Sequence, residues 1–151
     1  MTKKKLPKTI DCKGYKIPTG NTLTAIKERK KIITAFYREW FGKNKERKIK
    51  NVHLDHFILV DNLSLRETRH WAGLSFQSTL TVLFLTYVLK NAVKTQEVQP
   101  KPNNKNQKGF KKLIIMECVV PKLRPYIITA KLTVGVFKIS KDKIQYCLTA
   151  K

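Results

Sequence analysis

Three stretches late in the chain decide the fold: Leu113–Val120 (LIIMECVV), Tyr126–Phe137 (YIITAKLTVGVF) and Lys143–Thr149 (KIQYCLT). Each is rich in β-branched and aromatic residues, and turn-formers separate them, Pro121 to Pro125 and then Ser140 to Asp142. Such runs predict three antiparallel strands in a meander. In the middle strand Ala130, Leu132, Val134 and Val136 alternate with Thr129, Lys131, Thr133 and Gly135. A period of two gives one apolar face to pack on helices and one polar face. In the last strand the same alternation sets Ile144, Tyr146 and Leu148 against Gln145, Cys147 and Thr149.

Upstream the period lengthens to that of a helix. From Asn21 or Thr22 to Phe41, Leu23, Ile26, Ile33, Phe36, Tyr37 and Trp40 recur at helical spacing, with the cap at Asn21 or Thr22 and Gly42 as the stop. The other face carries Lys27, Arg29, Lys30, Lys31 and Arg38. His53–Val60 reads as a short strand. Ser64-Leu65-Arg66-Glu67 has the pattern of a capping box and opens a short helix through Trp71, broken by Gly73. The almost continuously apolar body of Gln77–Val93 predicts one central helix. Residues 94–110, rich in Pro, Asn, Gln and Lys, read as a long mobile loop. Helices first and strands last predict a single α+β domain over 21–151, with helices packed on one face of an antiparallel sheet of about four strands. Residues 1–20, with Lys3, Lys4, Lys5, Lys8, Lys13 and Lys16 among Pro and Gly, read as a basic flexible arm with one extended piece at Tyr15–Ile17.

The chain of 151 residues carries 32 Lys and Arg against 10 Asp and Glu, a formal charge of +22. With 42% hydrophobic residues it is no disordered chain. Solubility of a small domain needs a net charge of roughly 2–8, so the excess points to a polyanionic partner. It is also unevenly placed: residues 51–89 hold only Arg66 and Arg69 against Asp55, Asp61 and Glu67. A neutral, oily middle is clothed in lysine, and Lys outnumbers Arg, which favours phosphate contact over base reading. Nucleic acid is the expected partner, an anionic surface second, with Lys30, Lys31, Arg66, Lys111 and Lys112 as phosphate contacts. The longest apolar stretch, Thr79–Leu89, falls short of the roughly twenty residues a bilayer span needs, so no membrane partner is expected. Three cysteines without a CxxC spacing argue against a disulfide framework and a zinc ribbon, and for a reducing cytoplasm.

No Walker loop, GxSxG, HExxH or acidic cluster occurs, and His53 and His56 would leave opposite faces of a strand, so neither metal nor cofactor is expected. Phosphodiester chemistry would then take the metal-free route open to RNA. A base removes the 2′-hydroxyl proton, cations stabilise the charged phosphorane, and an acid protonates the leaving oxygen. His70, at the end of Arg66-Glu67-Thr68-Arg69-His70, is of the residue type most often used as general acid or base.

Glu67-Thr68 with Ala72, Ser78-Thr79-x-x-Val82-Leu83 and Val88-Leu89-x-Asn91-Ala92-Val93 resemble the helical half of phage and mobile-element nuclease domains of the barnase–EndoU–colicin–RelE group. Ala130-Lys131-Leu132-Thr133-Val134-Gly135 and Gln145-Tyr146-Cys147-Leu148-Thr149-Ala150 resemble that group's closing strands, so the likeness covers about residues 30–150. It implies two helices followed by a four-stranded antiparallel sheet, toxin-type metal-independent RNA cleavage, and a neutralising immunity or antitoxin protein as partner. By the same resemblance His70, Arg69, Lys131, Tyr146 and Thr149 become catalytic candidates, and Ser78 and Thr133 candidate nucleic-acid contacts. The alternative is a module that binds nucleic acid without cleaving it.

Overall fold

The three expected strands are present in the computed structural model, which describes residues 6–121 and 123–151. Eight strands and four helices follow in the order β1 (Thr9–Cys12), β2 (Tyr15–Pro18), α1 (Leu23–Lys43), β3 (Lys48–Asn51), β4 (His56–Leu59), α2 (Asn62–Ala72), α3 (Phe76–Val82), α4 (Leu85–Asn91), β5 (Val93–Val98), β6 (Phe110–Val119), β7 (Thr129–Phe137) and β8 (Lys143–Ala150). A 3-10 turn at Lys105–Gln107 precedes β6. The fold is α+β, but the main sheet has six strands rather than four, in the order β3-β4-β8-β7-β6-β5. It is mixed: β4 pairs β8 in parallel, and the other neighbours are antiparallel.

As alternation predicts, Ala130, Leu132, Val134 and Val136 of β7 are buried against the helices, together with Ile114 and Met116 of β6 and Leu148 of β8. The alternation of β8 itself is broken. Thr133 pairs with Cys147 but Val134 pairs with Gln145, so Tyr146 is an extra residue, a β-bulge. Gln145 therefore turns into the core, and Tyr146 joins Phe110, Leu113 and Ile144 in a second, smaller cluster on the opposite face. Phe110 lies flat over Gly135, where a Cβ would come within 2.5 Å of its ring. Only glycine leaves room for that ring.

Beyond Ile144, β4 no longer runs beside β8, and helices take its place. Ser64 Oγ of α2 donates to Gln145 O (2.5 Å), Leu148 N donates to Thr68 Oγ1 (3.2 Å), and Ala150 N donates to Ser78 Oγ of α3 (2.9 Å). Three helical hydroxyls thus satisfy strand groups that a further strand would otherwise bind. Gln145 Nε2 adds bonds to Tyr37 Oη (2.6 Å) and Thr68 Oγ1 (3.1 Å), tying α1 and α2 to the bulge.

Several expectations need correction. The capping residue of α2 is Asp61, and Ser64 closes the box from the third position by accepting from Asp61 N (3.0 Å), so the helix begins earlier than the Ser64 pattern predicts. Thr22 does cap α1, accepting from Ala25 N (3.1 Å), but Gly42 lies inside the helix and Asn44 ends it. The single central helix is two: Leu83 N and Phe84 N bond back three residues, to Leu80 O and Thr81 O, and the chain turns before α4. The hydroxyls of Thr79 and Thr81, bonded to carbonyls of their own helix, loosen that segment.

The basic arm is a hairpin over its described part. Lys13 (φ 50°) and Gly14 (φ 86°) form a two-residue turn with positive φ at both positions, the geometry that matches strand twist. Ile17 is fully buried against α1. Lys3, Lys4 and Lys5 lie outside the described residues. The expected loop at 94–110 begins instead as β5, paired to β6 from Val93 to Val98, and then folds back so that Gln107 is buried.

Arg29, which helical spacing assigns to the solvent face of α1, is 0% exposed. Its Nε donates to Gly73 O (2.9 Å), Nη1 to Pro18 O (2.8 Å) and Gly20 O (2.6 Å), and Nη2 to Leu74 O (3.3 Å). One guanidinium therefore joins the hairpin, α1 and the end of α2. The carbonyls beyond α2 carry the negative end of its dipole, which suits a cation.

Candidate nucleic-acid interface

With Arg29 turned inward, four of the five remaining cations of α1 form one stripe. Lys27, Lys30, Lys31, Thr34 and Arg38 stand three or four residues apart and so share a face. α2 packs beside that stripe and contributes Arg69, producing an open groove of about 560 Å³ lined by Lys27, Lys30, Lys31, Thr34, Ala35, Arg38 and Arg69. Arg69 Nη1 donates to Thr34 Oγ1 (3.3 Å), and Thr34 in turn donates to Lys30 O (3.0 Å), so the guanidinium is held across the groove. The stem of Lys30 lies against Gly73, where a Cβ would meet its Cγ at 2.6 Å. Glu28 pairs with Lys31 at 3.5 Å, both well exposed, an ion pair of little strength. Five cations therefore face a groove whose lining includes no carboxylate. From Lys27 to Arg38 the stripe spans about 16 Å of helix, long enough to meet several successive phosphates.

A second basic cleft, of about 470 Å³, lies where the chain before β6 folds back, with Lys101, Lys108, Lys111 and Lys138 on its walls. Lys112 does not join it. Its ammonium donates to Glu97 Oε1 (2.9 Å), which Lys94 also approaches at 2.5 Å, and the two lysines hold the Glu97 carboxyl down at about 2.

The residues nominated for catalysis do not meet in one place. Arg69 faces the α1 groove, with Lys30 and Lys31. Lys131 and Thr149 are opposite one another in the β7–β8 ladder, on the sheet face away from the helices, beside Thr133 and Cys147. Glu117, directly across from Lys131 on β6, pairs with Lys151 at 2.8 Å, so that surface carries an acid among its cations. The bulge brings Tyr146 to this same face, but it is buried, its ring edge-on to Phe110 (5.8 Å) and its hydroxyl 3.4 Å from Gln107 Nε2. Burial raises its phenol above the ordinary value. His70 is exposed on α2 and packs edge-to-face on Trp71 at 4.8 Å between ring centres. No side-chain hydrogen bond joins His70, Lys131, Tyr146 or Thr149 to one another among the described residues. Arg66 is exposed on α2 but does not line the groove. Ser78 is a structural residue, buried and accepting from Ala150 N, and cannot contact a ligand there.

Lys30 and Lys31 are legible from the charge on α1, whereas Lys27 and Arg38, on the same stripe, read as ordinary solvent-facing charges. Helical spacing is the signal that groups all four. Among the described residues no group of three or more His, Cys, Asp and Glu stands together as metal ligands. No helix is long and apolar enough to cross a membrane among those residues. No family model, curated protein or solved structure compared with the chain matches it.

Proposed function

We propose that this protein binds nucleic acid, RNA foremost, through the sugar–phosphate backbone, with the α1–α2 groove as the principal contact. The observation that carries the reading is the convergence of Lys27, Lys30, Lys31, Arg38 and Arg69 on one groove with no carboxylate in its lining. Cations so placed release counterions when a strand binds, which makes affinity fall steeply with salt. The test is a titration of labelled single-stranded RNA over a range of salt, on the unmodified chain and on Lys27→Ala, Lys30→Ala and Arg38→Ala. Removing one cation that neutralises a phosphate lowers the slope of log K against log salt by about 0.7. Affinity unchanged by all three substitutions, or no binding near physiological salt, would refute the proposal.

Metal-independent RNA cleavage is the second reading, and the β8 bulge favours it by turning Tyr146 to the face of Lys131 and Thr149. On that face Lys131 would stabilise charge on the phosphorane. RNA incubated with the pure chain and EDTA would then yield cyclic-phosphate ends, and Lys131→Ala would reduce them. Intact RNA from several substrates would leave the binding function alone standing.

A further inference from the structure

On the opposite flank of α1, about 150° around the helix from the groove, lies a smaller cleft of a different kind. It is formed by the β1–β2 turn, the second half of α1 and the start of α4, and encloses about 290 Å³. Rings from Tyr15, Phe36, Trp40, Phe84 and Tyr87 line it. Lys13 and Lys43 flank them, and the Lys13 ammonium stands 4.2 Å from the centre of the Phe84 ring, carried there by the positive-φ turn. Trp40 Nε1 donates to Thr86 Oγ1 (2.8 Å), which fixes the indole and occupies its one donor. The cleft's one acid, Glu39, is already taken: Lys43 lies 2.9 Å from Oε1, and Tyr15 Oη donates to Oε2 (3.4 Å).

This chemistry selects its guest. A cationic guest in an aromatic cage gains from an unpaired carboxylate nearby, and none is left here. The volume sits at the small end of ligand pockets, roughly 300–1,000 Å³, so a planar group is admitted but not a duplex. Aromatic walls stack on any nucleobase, and Lys13 at the rim meets a phosphate beside it. We infer that the cleft receives one unstacked base of a single-stranded nucleic acid. The inference rests on the nucleic-acid reading above and narrows it to single strands.

The test compares three labelled probes at one ionic strength: a twelve-nucleotide oligouridylate, an abasic phosphodiester strand of the same length, and duplex RNA. Stacking of one base is worth ~1–3 kcal/mol, so the oligouridylate should bind about 5- to 140-fold more tightly than the abasic strand. Tyr87 is 40% exposed and lies outside the buried core, which makes it the ring to replace. Tyr87→Ala should erase the preference and Tyr87→Phe should keep it, with equal salt slopes throughout. Equal binding of the abasic strand, a preference that survives Tyr87→Ala, or uridine monophosphate competing as well as the strand would overturn this inference alone. Failure of the unmodified chain to bind any of the probes would overturn the nucleic-acid reading with it.

Discussion

Replacing Arg29 with methionine tests whether one buried cation organises the N-terminal third of the fold. The side chain is wholly inaccessible, and its partners are four backbone carbonyls, at Pro18, Gly20, Gly73 and Leu74. A hydrogen bond to a charged group contributes ~1.5–3 kcal/mol, so the three shorter bonds together amount to about 5–9 kcal/mol in gross terms. Keeping an ion out of water costs several kcal/mol, which cancels much of that. Methionine fills most of the space without needing hydration, but it orphans carbonyls at ~1–3 kcal/mol for each one that water cannot reach. With two of the four left dry, the expected loss is about 2–6 kcal/mol, a large part of the roughly 5–15 kcal/mol that holds a domain together. Urea unfolding of the full chain measures it, with the slope m unchanged, and the melting temperature should fall by about 4–24 °C. Arg29→Lys restores the charge as a single point and should recover only part of the loss. A loss under about 1 kcal/mol in both variants would refute the clamp.

The remaining predictions concern the sheet and its edge. Gly135→Ala should cost about 1–3 kcal/mol by driving a Cβ into the Phe110 ring, and pairing it with Phe110→Leu should return part of that in a double-mutant cycle. Thr68→Val removes the acceptor of Leu148 N and a partner of Gln145, so chemical denaturation should show a loss of about 1–3 kcal/mol; a neutral result would mean that water replaces the hydroxyl. Burial pushes the Cys147 thiol up to about 12 from an ordinary value near 9. A proton held more tightly by the folded state gives stability that is complete below pH 9 and disappears as pH rises toward 12. Stability should therefore decline across that window, less steeply in Cys147→Ala, and the thiol should resist iodoacetamide at about pH 8 in the folded chain.

β6, β7 and β8 were legible because each is a long run whose own alternation encodes its faces. β3 and β5 were not. Lys48–Asn51 and Val93–Val98 are short and polar, and they become strands because β4 and β6 offer them a ladder, not because of their own pattern. Arg29 shows a second limit. A cation on a helix reads as solvated unless its acceptors are known, and here they come from the hairpin and from beyond α2, distant in sequence. At the candidate site the α1 lysines were visible in the charge pattern, but Arg69 joins them only through helix packing. Likewise Tyr146 and Thr149, which strict alternation would place on opposite faces, share one because a single inserted residue shifts the register.

The three helical hydroxyls along β8 carry a consequence for any future family of such sequences. Positions 64, 68 and 78 would tolerate little beyond short side chains bearing an oxygen, while exposed Arg66 of α2 would be freer to vary. An invariant Ser, Thr, Ser pattern would look like a nucleophile and its helpers to anyone ranking columns of an alignment. It would instead be the seam along which a sheet has been sealed by helices, and mutating it would cost solubility and yield before it cost any chemistry.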